Sequence, residues 1–196
     1  MRHTSRYIGT AMGVAMVLAM SSGPATAGVI VFEASGANAA AVQPTVDVYR
    51  SGLGALNPNN GMAFASGRRE INWDGVPDAF ADPNPFPGDF FASTVSVGRM
   101  RGAQFNTPGT GFLVSADSSN PTATPIAFGY PLDFVPFSAE RLFSPVGSNV
   151  TDVTFFVPGT LTPGTVTGFG AIFSDVEAPG AAITFFAASA NCISMS

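Results

Sequence analysis

The chain has 196 residues, with eight arginines, no lysine, thirteen Asp and Glu, and a formal charge of −5. Its only histidine is His3, in a leader expected to be cleaved, and its only cysteine is Cys192, so the mature chain is expected to lack a Ser-His-Asp triad, a Cys-His pair, an imidazole or thiolate zinc site and an intramolecular disulfide. So acidic a surface repels phosphate backbones, and nucleic acid is disfavoured as a partner.

Residues 1–27 read as a cleavable secretory signal peptide. Arg2 and Arg6 form the positive start, residues 8–20 an uncharged apolar run, and Ala25-Thr26-Ala27 an A-x-A cleavage site, so the mature chain is expected to begin at Gly28. A membrane anchor is the alternative, but a spanning helix needs about 20 apolar residues and this run is shorter. The expected location is secreted, periplasmic or at the cell surface, with no transmembrane span in the mature chain. Six Arg then face thirteen acids, a formal charge of −7. Residues 28–191 are long enough for one domain with its own core, and 192–196 read as an atypical tail.

Residues 29–33 are β-branched and aromatic and predict a first strand. Residues 38–53 predict the one convincing helix: Val42, Val46, Tyr49 and Leu53 fall on one stripe, Asn38 can cap the start, and Gly52 and Gly54 suit the end. Pro44 conflicts with a helix interior, so the helix is allowed to start as late as Gln43. Residues 57–61 are a turn cluster and 69–73 a plausible strand. Residues 76–88, with four prolines, predict a long irregular loop whose phenylalanines pack down. Short β-like runs follow at 94–97, 101–105, 112–115, 152–157, 165–173 and 182–187, broken by Pro-Gly turns, and 138–143 suits one helical turn. Short strands at this spacing indicate a mainly β fold, a jelly-roll-like β-sandwich with one N-terminal helix. The arginine pairs Arg68-Arg69 and Arg99/Arg101 read as solvated loop or strand-edge charges.

Several blocks are familiar as wording. Val31-Phe32-Glu33-Ala34-Ser35-Gly36, Gln43-Pro44-Thr45-Val46-Asp47, the run from Gly67 through Trp73-Asp74-Gly75 to Pro77, the run from Gly147 to Gly159 and the run from Gly168 to Val176 resemble a group of secreted bacterial proteins of unassigned function. Some of these end in a PEP-CTERM-type sorting tail. The resemblance covers most of the mature chain and implies no settled activity. It also implies further strands after Ile183-Thr184-Phe185-Phe186, where this chain instead ends in Cys192-Ile193-Ser194-Met195-Ser196. On that reading the sandwich is incomplete at its C-terminus, and 182–187 is left at a sheet edge.

The candidate sites are carboxylates and one indole. Asp74 and Asp78 flank the turn before the long loop and suit either turn-making or a calcium ion. Asp175 and Glu177, two apart at a strand end, project on one face, as a solvated strand end or as calcium ligands. Glu33 ends the first strand, where jelly-roll carbohydrate-binding modules place an acidic calcium ligand; this is an analogy of architecture. Trp73 suits either the core or a sugar-stacking platform. The expected function is a non-enzymatic binding or structural module for carbohydrate or other cell-surface components. The alternative is a carboxylate-dependent polysaccharide hydrolase, for which the placing of Asp74, Asp78, Asp152 and Asp175 discriminates.

Overall fold

The computed structural model describes residues 12–19, 29–176, 181–186 and 192–195. Arg2, Arg6, the Ala25-Thr26-Ala27 motif and Glu177 lie outside them. The described chain is mainly strand with one helix: β1 (Met12–Ala19), β2 (Val29–Gly36), α1 (Ala39–Leu53), β3 (Ala103–Asn106), β4 (Gly111–Val114), β5 (Phe143–Val146), β6 (Thr151–Phe155), β7 (Gly168–Phe173), β8 (Ile183–Phe185) and β9 (Cys192–Met195). They form three small sheets, ordered β2-β1-β7, β3-β6-β9-β8 and β4-β5, with antiparallel pairing throughout. Among the described residues no helix is long and apolar enough to cross a membrane.

The apolar run of the expected signal peptide takes a place in this fold. Met12–Ala19 is the middle strand of the first sheet, pairing along β2 from Met12↔Gly36 to Ala19↔Val29 and along β7 from Gly13↔Phe173 to Leu18↔Gly168. Helix α1 packs beside this sheet. Val42, Val46 and Tyr49 are buried, against Phe32 and Ala34 of β2 and Ile172 of β7. The Asn38 side chain accepts a hydrogen bond from the Ala41 N–H at 3.1 Å, and Gly54, at φ +92°, closes the helix. The helix does not wait for Gln43. It starts at Ala39 and carries Pro44 inside, because Pro44 and Ala40 are both exposed, so water can reach the carbonyl that Pro44 leaves without a donor.

Two expected strands fail for one reason. Residues 69–73 and 94–97 meet no neighbour with which to share a ladder. The first runs as extended chain into a 3-10 turn, Trp73–Gly75, capped by the Asn72 side chain, which accepts from the Asp74 N–H at 3.0 Å. The second is turned by the Ser93 hydroxyl, which accepts from Val95 and Ser96, and leaves Val95 and Val97 exposed. Conversely, residues 138–140, where a helical turn over 138–143 is expected, are bends that lead into strand β5 at Phe143, and Cys192–Met195 is a strand, not only a tail. It lies between β6 and β8, with Met195 in the main core. β8 is at the sheet edge, as expected, with Phe185 and Phe186 40% and 49% exposed.

The main core is aromatic. Phe86, Phe90, Phe91, Phe105 and Phe112 are buried together with Val76, Val114 and Val153. The proline-rich loop supplies Val76 and Phe86, so it is a wall of the core, as its composition indicates. Gly88 makes this possible: its Cα faces the Phe105 carbonyl so closely that a Cβ would collide with that oxygen.

Candidate functional site

Trp73 belongs to this core. Its indole stacks on Phe143 at 4.2 Å and 3°, and its edges meet Phe86 and Phe91, each 5.7 Å away. Phe143 thus occupies one face of the indole, and of the two readings of Trp73 the core one matches its contacts.

Asp74 and Asp78 both meet Arg141, but by different groups, Asp74 its backbone N–H and Asp78 its guanidinium. The Arg141 side chain is 2% exposed. Its Nη2 donates to Asp78 Oδ1 at 2.6 Å and to Asp117 Oδ2 at 2.7 Å, its Nη1 to the Ser115 carbonyl at 3.1 Å, and its backbone N–H to Asp74 Oδ1 at 3.0 Å. The Ser119 hydroxyl, helped by the Ser119 N–H and the Arg141 charge, holds the Asp117 carboxyl below its ordinary value against the opposing effect of burial. Asp117 was no candidate in the sequence, since nothing there shows that it faces residue 141.

The remaining expected calcium ligands stay apart. Glu33 is exposed on β2, level with Ala15 of β1 and Ala171 of β7. Asp175 lies four residues past that row, two strands across, on the order of 15 Å away by strand geometry. Asp152 pairs between Asn106 and Ser194 in the other sheet. Among the described residues no group of three or more His, Cys, Asp or Glu is placed to hold a metal ion. A calcium ion at Asp78 would have to compete with the Arg141 guanidinium, and one at Asp74 with the Arg141 N–H. Millimolar calcium is therefore expected to leave the melting midpoint unchanged; a rise of several degrees would restore a cation site.

The larger of two open recesses lies elsewhere, over the β4-β5 sheet. It is an open groove of about 660 Å³ whose walls include Phe128, Tyr130, Asp133, Ser144 and Asp175. The loop 124–135 builds one side. Within it Ala127 and Phe128 hold left-handed backbone, at φ +50° and +56°, an uncommon state for a bulky side chain that aims the chain into the recess. The Tyr130 carbonyl accepts from the N–H groups of Asp133 and Phe134, both at 3.1 Å. The Ser174 hydroxyl then latches the loop to the end of β7, accepting from Val135 N–H at 2.9 Å and donating to the Val135 carbonyl at 3.1 Å. Its neighbour Asp175, at φ +61°, is thereby held at the same groove as Asp133. Tyr130 is 60% exposed.

The groove thus offers an exposed aromatic ring, two carboxylates and a hydroxyl: a flat apolar surface beside acceptors for O–H donors. Of the expected residues only Asp175 is here. The sequence signal that could have found the rest is the long strand-free stretch after Ser118, with Phe128, Tyr130, Asp133 and Phe134 close together between prolines. No protein-family model, no curated protein and no solved structure matches the chain.

Proposed function

We propose that this chain is an exported, non-enzymatic β module of jelly-roll type that binds carbohydrate at the cell surface or in the periplasm. The groove carries this reading. Its exposed Tyr130 can pack on the C–H face of a sugar ring, while Asp133, Asp175 and Ser144 accept from ring hydroxyls. The acidic charge supports it by disfavouring nucleic acid. Titration with a panel of neutral oligosaccharides tests it. At least one should bind, and Tyr130→Ala should weaken that binding about tenfold, the scale of losing an aromatic contact at a partly exposed site. Absence of binding across the panel, or binding indifferent to Tyr130→Ala, would sink the reading.

One observation favours a second reading. Asp133 and Asp175 line the same open groove, and two carboxyls across a groove are the minimum that glycoside hydrolysis requires. Release of new reducing ends that is lost in Asp175→Asn would establish the hydrolase. Binding without release would leave the module.

A further inference from the structure

Of the six arginines beyond residue 27, three are neutralised within the fold. Arg50 and Arg68 hold Glu70, at 2.7 and 2.6 Å, and Arg141 holds Asp78 and Asp117. Arg69, Arg99 and Arg101 have no carboxylate at ion-pair distance among the described residues, in a chain with thirteen acids.

The local chain explains the split. Residues 68–70 run extended past the end of α1, and in extended chain alternate side chains face opposite ways. Arg68 and Glu70 turn toward Arg50 of the helix. Arg69 turns away, donates from Nη2 to the Met62 carbonyl at 2.6 Å and lies 5.4 Å from the Phe64 ring centre. Arg101 reaches the same region from the other side. It donates from Nε to the Glu70 carbonyl and from Nη1 to the Gly98 carbonyl, both at 2.7 Å, with its guanidinium 4.5 Å over Phe91. The loops that receive these two arginines are themselves joined, by the Gly98 N–H to the Asn59 carbonyl at 2.8 Å and by a bridge between Asn60 and Met100. Arg99 flanks them, 4.0 Å over Phe90, with no side-chain hydrogen bond among the described residues. Two guanidiniums are thus fixed on one pair of loops by neutral carbonyls and aromatic faces. A ring contact covers the face of a guanidinium and leaves its in-plane N–H groups free to donate; among the described residues Arg69 Nη1 and Arg101 Nη2 have no acceptor. Burial first, and the Arg69 charge second, lower the affinity of Arg101 for its proton. Arg69 Nε is buried without a partner. An anion between the two arginines would offset their repulsion.

We propose that Arg69 and Arg101 form a second binding site, for the carboxylate of an acidic saccharide. One free Nη from each guanidinium matches the two oxygens of a carboxylate, and Phe64, exposed beside Arg69, gives the sugar ring a surface. The saccharide class rests on the carbohydrate reading above; the anion site rests on the arginines alone. Trigalacturonate is the probe, titrated into the full chain at low salt. It should bind, weaken with added salt, and lose about tenfold in affinity with Arg69→Gln, the scale of a charge-assisted hydrogen-bond pair. Arg69→Lys, which keeps the charge but not the fork, should recover only part of the loss. Tyr130→Ala should leave trigalacturonate binding unchanged, which separates this site from the groove. No binding of trigalacturonate, or equal binding by a folded Arg69→Gln chain, overturns the proposal. A glutamate-rich peptide that binds more tightly than trigalacturonate overturns the saccharide assignment.

Discussion

Asp117→Ala is expected to cost about 3 kcal/mol of stability, which for a chain of this size lowers the thermal midpoint by about 6–12 °C. The reason is Arg141. Its guanidinium is almost wholly withdrawn from water, and a buried charge whose partner is removed keeps its desolvation penalty without compensation. Asp117 receives both Nε, at 3.1 Å, and Nη2, at 2.7 Å. With Asp117 gone, only Asp78 and the Ser115 carbonyl remain for the side chain. Asp78→Ala should cost clearly less, because the Asp78 side chain is 56% exposed against 22% for Asp117, so water already screens that pair. Denaturant or thermal melting of the two variants gives the order directly. Equal small losses would mean that Arg141 is more hydrated than its burial indicates. Acid should act in the same direction. The folded-state pKa of Asp117 is lowered, so its contribution is present above the ordinary carboxylate range and is lost as pH falls through and below it. The acid limb of the stability curve should be shallower in Asp117→Asn than in the parent chain.

A chain beginning at Gly28 is expected to self-associate where the chain beginning at Met1 does so less. Export with cleavage after Ala27 would remove β1, the strand that β2 and β7 share. Eight residues of β2 and six of β7 then lose their ladder partner, and unpaired strand edges recruit other strands. The uncovered stretch is apolar, with Val29, Ile30 and Val31 already exposed while β1 is in place. β8 adds a second open edge with its two exposed phenylalanines. N-terminal sequencing of the exported form should first return a start at or near Gly28. Sedimentation of both forms should then show larger species for the shorter one. Phe185→Lys should reduce association through β8 and leave that through β2 and β7. A monomeric short form with the melting midpoint of the long form would show that β2 and β7 do not depend on residues 12–19.

Local features of this protein were legible wherever a short stretch of sequence carries its own physical reason. The α1 stripe of Val42, Val46 and Tyr49, the Asn38 cap and the Gly54 stop need only helix geometry. Most strand runs between Pro-Gly turns were placed within a few residues, and Phe86 had to pack because a proline-rich loop that carries aromatic side chains has nowhere else to put them. Composition alone, with Cys192 the single cysteine, leaves these 196 residues no disulfide between them. What the tertiary structure decided is partnership. Residues 69–73 and 94–97 have strand composition but no neighbour, whereas Phe143–Val146, with a proline inside, is a strand because β4 lies beside it. Cys192–Met195 looks like a stray tail until β6 and β8 flank it. The same holds for charge. Asp74 and Asp78 read as open carboxylates because nothing in their own stretch shows Arg141, more than sixty residues away, donating to each. Arg69 and Glu70 are neighbours in sequence, yet extended chain sends one to the helix and the other to Met62. Ladder partners, ion-pair partners and the groove walls are all set by contacts distant in sequence, and these exist only once the core has closed.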